Sequence, residues 1–263
     1  MIRLRLFTAC QAVVDAATTG VRSVHEGLWL GLLDHPHLQA VTDQRYERWC
    51  TYGADDHNLS GLMPWEESAL DRFFGGCGSL LVGAAGGGRE VLALARQGYR
   101  VTAFDCSQHL LNRCRRLLAD EGLAVSAAVS PPNRVPDGVG QHDGAIMGWG
   151  GYMHIPGRPA RVNFLQQIRS HLPPGGPLLL SFFSHRQPSR SDRLVAGIAG
   201  VIRRLRRSRD PVEIGDRICG TFDHRFCERE IGSELESAGF DMIHFAHQPY
   251  GHAVGRSRQQ FTQ

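Results

Sequence analysis

The sequence predicts an α/β fold, a doubly wound and mostly parallel sheet with an N-terminal helical segment, and three observations carry that prediction. Apolar runs at 80–82, 101–104, 144–147 and 178–183 alternate with helical stretches, the cadence of strands covered by helices on both faces. A glycine-rich loop, Gly83 to Gly88, joins the first run to its helix. Asp105 closes the second run, where open sheets present side chains to ligands.

The elements follow in order. From Thr8 to about Phe74, apolar residues recur at spacings of three and four, as at Val13, Val21, Val24 and Leu28, which predicts helix. The glycines at 75, 76 and 78 then mark a boundary, so residues 1–75 are expected to form a helical segment, which the resemblance named below implies is a lid and substrate segment, and residues 76–263 the sheet domain. After the first strand a helix is predicted over 90–97 and ended by Gly98. A helix over 108–120 follows the second strand, and a weaker strand spans 124–129. A helix at 161–172 precedes a Pro-Pro-Gly-Gly turn, Pro173 to Gly176, which leads into the fifth strand. Residues 184–215 break the cadence as a helical insertion, with a helix over 192–207. Strand, helix and strand at 221–226, 228–238 and 240–245 close the domain.

Composition bounds the function. A chain of 263 residues with 42% hydrophobic content supports one sizeable core and an additional segment, not two full domains. The net charge of +3 is too mild for a nucleic-acid protein. All cationic side chains are arginine, because there is no lysine, which excludes a lysine Schiff base or a P-loop lysine. The seven cysteines are scattered without a C-x-x-C pair, so neither a zinc ribbon nor a dithiol site is indicated, no metal is expected, and a reducing cytoplasmic setting fits. The N-terminus briefly imitates a signal peptide until Gln11 and Asp15 interrupt it. No apolar run reaches the ~20 residues that span a bilayer.

The glycine loop at the start of a helix lets backbone approach a ligand, and Asp105 is placed to accept hydrogen bonds from both hydroxyls of a ribose. A nicotinamide cofactor would use the same geometry. The G-x-G-x-x-G template started at Gly86 and Gly88, however, puts Val91 where the third glycine belongs. With the loop, Asp105 and the turn Pro174-Gly175-Gly176-Pro177 before strand five, the sequence resembles the class I methyltransferases over roughly residues 79–183. It departs from their pattern at Val82, Ala84 and Ser130-Pro131-Pro132, where the family often has an acid, a glycine and a further acid.

The resemblance implies S-adenosylmethionine as cofactor, with Gly83, Ala85, Gly86 and Gly88 forming the cradle, Asp105 on the ribose, and Cys106 and Ser107 on the adenine side. Glu90 is read as a first-turn carboxylate favoured by the helix dipole. The loop after strand four, with Trp149, Tyr152 and His154, would face the reacting end. There Trp149 would lie against the sulfonium, Tyr152 would shape the acceptor pocket, and His154 would act as a general base; packing alone explains the same residues equally well. Asn58, Trp65 and Glu66 are candidate substrate contacts in the lid-like segment. The run from Arg203 to Arg209 is read as the solvated face of an amphipathic helix or a dock for an anionic partner.

The function expected is methyl transfer to the hydroxyl or amine of a small-molecule acceptor by in-line displacement. The alternatives are a nicotinamide-dependent oxidoreductase and a non-catalytic cofactor-binding protein of the same fold. Nucleic acid and membrane are not expected partners, and the oligomeric state is left open.

Overall fold

The computed structural model describes residues 2–48 and 50–259. Five helices lead the chain: α1 (Ile2–Leu32), α2 (His35–Arg48), α3 (Cys50–Gly53), α4 (Asp55–Asn58) and α5 (Pro64–Phe73). There follow β1 (Ser79–Gly83), α6 (Arg89–Arg96), β2 (Arg100–Asp105), α7 (Gln108–Asp120), β3 (Ser126–Val129) and β4 (Gly144–Met147). A 3₁₀ turn (Gly151–His154), α8 (Arg158–Ser170), β5 (Pro177–Phe182) and α9 (Arg190–Arg206) come next. The chain closes with β6 (Asp216–Ile218), β7 (Phe222–His224), α10 (Glu228–Ser237), β8 (Phe240–Ala246) and β9 (Gly251–Ser257).

Seven strands form the main sheet in the order β3-β2-β1-β4-β5-β9-β8. The first five are parallel, and β9 runs antiparallel between β5 and β8. Every residue of β1, β4 and β5 is buried, because side chains alternate between two covered faces. Leu80 and Val82 join the core under α5, α6 and α7, whereas Leu81 joins the core under α8 and α10. Burying each such side chain contributes about 1.5–3 kcal/mol.

Two elements near the end differ from the sequence expectation. Residues 221–226 were expected as a strand of the closing sheet; instead β7 pairs with β6 in a separate antiparallel hairpin. The last strand, β9, was not anticipated: glycines at 251 and 255 dilute its apolar signal, and Gly255 is needed because a Cβ there would lie 3.0 Å from Leu235. The helix expected from 161 begins a turn earlier, at Arg158, since Pro159 is tolerated in a first turn. The helix expected from 192 begins at Arg190, because Ser189 and Asp192 form a capping box.

α5 belongs to the sheet's own core through Trp65, Ala69, Leu70 and Phe74. α1 instead runs alongside α9. A Cβ on Gly27 or Gly31 would come within 2.8 or 2.6 Å of Ile198 or Ile202, and Ser23 Oγ meets Ser191 Oγ at 2.7 Å. On the apolar face expected of the 192–207 helix, Val195 is buried while Leu194 and Val201 are exposed. Arg203, expected on a solvated face, is 4% exposed and donates to the carbonyls of Leu30 and Leu33, and Arg206 donates to that of Gly31. Both arginines satisfy the carbonyls that end α1. Arg217 of β6 completes this unit, bonding Glu26 of α1 and Asp192 of α9.

The hairpin is fixed by His224, fully buried, whose ring nitrogens lie 2.7 Å from Asp216 and 2.9 Å from Glu230. Burial disfavours its charged form, but hydrogen bonds to these carboxylates prevail and raise its pKa to about 9. A group raised when folded contributes stability that is fully present below its unfolded pKa of ~6.5 and is lost as pH rises through the folded value. Denaturant unfolding is therefore expected to show stability declining between about pH 6.5 and 9 by about 3 kcal/mol, at 1.36 kcal/mol per unit, and His224→Gln should flatten that slope.

Candidate active site

The loop after β1 turns through left-handed conformations at Ala84 (φ 51°), Gly86 (φ 52°) and Gly88 (φ 106°). Such a turn costs about 1–2 kcal/mol at a residue with a Cβ, so Ala84 is held by its surroundings. Gly148 and Gly151 press on it from the loop after β4, where a Cβ would come within 2.2 Å of its carbonyl oxygen and 2.4 Å of its Cβ. A cavity of about 840 Å³ opens beside this turn, at the carboxyl ends of β1, β2 and β4. Ala84, Ala85, Gly86 and Gly87 line it. Gly83 and Gly88, expected in the cradle, do not. Gly83 sits under Phe104 and Met147, and Gly88 against Cys114, so both shape the turn from behind.

Asp105 faces the cavity at the end of β2. Its Oδ2 accepts from the Gly86 N–H at 2.8 Å and its Oδ1 from the Ser107 N–H at 2.7 Å, which leaves a second lone-pair direction on each oxygen. Burial raises its pKa, and the backbone donors oppose that rise. A Cβ at Gly86 would meet nothing within 4 Å, so backbone here borders open cavity. Cys106 and Ser107 also line the site, and Ser107 caps α7. Burial and the Asp105 charge push the Cys106 thiol up to about 12, far from a reactive thiolate. The loop after β3, Ser130 to Arg134, forms the next wall. This polar, open cradle around a carboxylate at the end of β2 fits the ribose of an adenosyl cofactor.

Arg89 and Glu90, at the start of α6, carry more of the site than the sequence suggested. Arg89 is 3% exposed. It donates to both carboxylate oxygens of Glu66 at 2.7 Å, to Glu90 Oε1 at 2.6 Å and to the Gly61 carbonyl at 3.0 Å. Burial works against its charge, and the two carboxylates more than offset this. Glu90 Oε1 also accepts the Trp149 N–H at 2.9 Å. Glu90 lines the cavity, and its Oε2 has no hydrogen-bond partner among the described residues.

The remaining candidate residues divide between cavity and core. Trp149 and Asn58 line the cavity. Asn58 donates to the carbonyls of Tyr52 and Ala54, and Gly87 lies so close that a Cβ would fall 2.4 Å from its amide nitrogen. Trp65, Glu66 and Tyr152, expected at the substrate, lie outside the lining. Trp65 stacks on His252 at 4.8 Å, Glu66 closes the capping box of α5 and holds Arg89, and Tyr152 donates to buried Glu234 at 2.6 Å. Aromatic and acidic residues so placed serve packing and positioning.

His154 does line the cavity, with both ring nitrogens engaged. Nδ1 lies 2.5 Å from the Phe222 carbonyl, which can only accept. Nε2 therefore accepts from the Tyr46 hydroxyl at 2.8 Å. Burial lowers the His154 pKa against the opposing carbonyl bond, so the ring is neutral at neutral pH, and burial raises the Tyr46 pKa and keeps its phenol protonated. Sequence reading missed Tyr46 and its neighbours on α2, Gln39, Thr42 and Asp43, which roof the cavity. Gln39 ties the roof to the far wall, accepting from Asn133 at 3.3 Å.

Residues 81–176 match the model of a methyltransferase domain family, and no curated protein sequence matches the chain. The fold resembles an S-adenosylmethionine-dependent methyltransferase of Methanosarcina mazei (TM-score 0.57, 17% identity, covering 76% of this chain and 100% of that one). It also resembles the CcbJ methyltransferase of Streptomyces caelestis (0.56, 15%, 80% and 98%). A third likeness is the 1,6-didemethyltoxoflavin-N1-methyltransferase of Burkholderia thailandensis (0.56, 20%, 78% and 80%). Fold and family match together define a class I methyltransferase domain. Residues 81–176 thus carry a methyltransferase domain, which favours S-adenosylmethionine-dependent methyl transfer among the three readings the sequence left open.

Arg89→Ala leaves two buried carboxylates without their cation. Loss of a buried partner costs about 3–5 kcal/mol, and denaturant unfolding is expected to show that loss. Adding Glu66→Gln to the variant should recover part of it, whereas a fully additive further loss would show that the ion pair does not carry the effect.

Proposed function

We propose that the protein methylates a hydroxyl group of a small molecule held under the roof of α2, α3 and α4. The observation that carries this reading is the covered cavity of about 840 Å³ with Tyr46 and His154 in its wall. Its size lies in the range of small-molecule sites, about 300–1,000 Å³.

The strand order supports a layout for the cofactor. Cys106 and Ser107, with the loop after β3, would hold the adenine, Asp105 the ribose, and the loops after β1 and β4 the methionine end. Glu90 stands at that end, and its unengaged Oε2 takes the α-ammonium group. It thus supplies the acid that Val82 does not. Trp149 offers an aromatic face to the cationic sulfur. When bound, S-adenosylmethionine supplies a methyl group open to in-line displacement.

The chain's own residues position the acceptor and move its proton. During methyl transfer the acceptor's hydroxyl proton would pass to Tyr46 Oη. The Tyr46 proton passes to His154 Nε2 at the same time. The imidazolium so formed is held by the Phe222 carbonyl, and Tyr46 never carries a charge, in keeping with its raised pKa. His154 is thus a base acting through Tyr46. An amine acceptor, already carrying its lone pair, would need no such relay.

Two measurements test the layout. Glu90→Gln is expected to weaken S-adenosylhomocysteine binding by about 1.5–3 kcal/mol, the scale of a charged hydrogen bond, and to leave 5′-methylthioadenosine, which lacks the amino acid, unaffected in calorimetry. Equal losses for both ligands would mean that Glu90 only holds the loop. Tyr46→Phe and His154→Ala should each lower turnover on a hydroxyl acceptor by about 10²–10⁴-fold with cofactor affinity unchanged, and the double variant should be no slower than either single one. Full turnover in either single variant would remove the relay.

A further inference from the structure

Along α1, apolar residues repeat at alternating spacings of three and four: Phe7, Cys10, Val14, Ala17, Val21, Val24 and Leu28. This is the seam of a two-helix coiled coil, with Phe7, Val14, Val21 and Leu28 at the first core position of each heptad and Cys10, Ala17 and Val24 at the second. The seam faces outward. Phe7 is 63% exposed, Val21 72% and Val24 52%, while the adjoining face of the same helix, through Ser23, Gly27, Leu30 and Gly31, is packed on α9. Every residue from Arg3 to Thr19 is exposed, and a helix of that length without tertiary support is marginal in water.

We propose that α1 pairs antiparallel with α1 of a second copy of this chain, forming a two-fold dimer. The area suffices: the seven seam side chains of each copy, at roughly 60–100 Å² of apolar surface apiece from the transfer coefficient, bring about 1,000 Å² out of water, the level at which specific interfaces begin. The charges select a like partner. The positions flanking the seam, Leu4, Gln11, Thr18 and His25 on one side and Leu6, Val13, Gly20 and Gly27 on the other, include no acid and no arginine. A charged partner helix finds nothing there to pair with, whereas a second copy meets only uncharged flanks.

Orientation follows from the core layers. A parallel pair would set Arg3, itself at a core position, against its own twin, and would stack Ala17 on Ala17 beneath Phe7 on Phe7. The antiparallel pair matches large with small, Phe7 with Val24, Cys10 with Val21 and Val14 with Ala17, and it lays the stem of Arg3 along Leu28.

Sedimentation of the full chain is expected to give a concentration-dependent dimer. Val14→Asp combined with Val21→Asp should convert it to a monomer whose S-adenosylhomocysteine affinity is unchanged. Under mild oxidation, Val21→Cys should yield a dimer linked between Cys10 and position 21, identified by peptide mapping, and Cys10→Ser should abolish that link. A monomer at all concentrations, a dimer that survives both aspartates, or a link between the two Cys10 side chains would each overturn the proposal. So would a monomer that is recovered on anionic phospholipid vesicles through α1.

Discussion

One buried guanidinium holds the functional end of this molecule together. Arg89 opens α6, yet its bonds run to Glu66 at the start of α5, to the Gly61 carbonyl before it, and to Glu90, which carries the Trp149 backbone beyond β4. Three loops that face the cavity therefore share one anchor. Burying these charges costs free energy that their attraction only offsets, so the cluster contributes position more than stability. Ala84 keeps its left-handed turn within this frame, with the loop after β4 pressed against it.

The roof depends on the same frame from the other side. Gly87 admits Tyr52 and Asn58 within contact distance of the loop, and Tyr46 reaches His154 across the cavity. Through the Phe222 carbonyl, His154 also feels the hairpin of β6 and β7. The hairpin is thus part of the site's wall, although neither strand joins the main sheet.

The sheet from β1 to β5 was legible in sequence because its signals are local: apolar runs of strand length, glycines at turns, and Asp105 closing a strand. In the tail α10 and β8 were legible in the same way, but β9 was not, since it holds its place by pairing with β5 and β8, and glycine-bearing segments show that only once folded. The site followed the same division. That Asp105 and the loop border a cavity could be expected from the chain, whereas Tyr46 lies 108 residues from His154 and nothing in α2 announces a cavity wall. Trp65 and Tyr152 illustrate the converse: an aromatic residue in a polar stretch looks alike in sequence whether it lines a pocket or fills a core. Of the adjacent pair Arg89-Glu90, the sequence showed Glu90 only as a first-turn carboxylate and gave Arg89 no role, because a charge pair opening a helix usually faces solvent.

The contact of Gly27 and Gly31 with Ile198 and Ile202 joins segments far apart in the chain. Neither side makes sense alone. Without α9, the two glycines would only weaken α1, and without α1, Arg203 would lose the Leu30 and Leu33 carbonyls and keep only that of Asp210. The leading helix and the insertion after β5 thus behave as one module threaded twice through the chain. A shorter relative lacking either segment should lack its counterpart, and a chimaera that transplants one must carry the other with it.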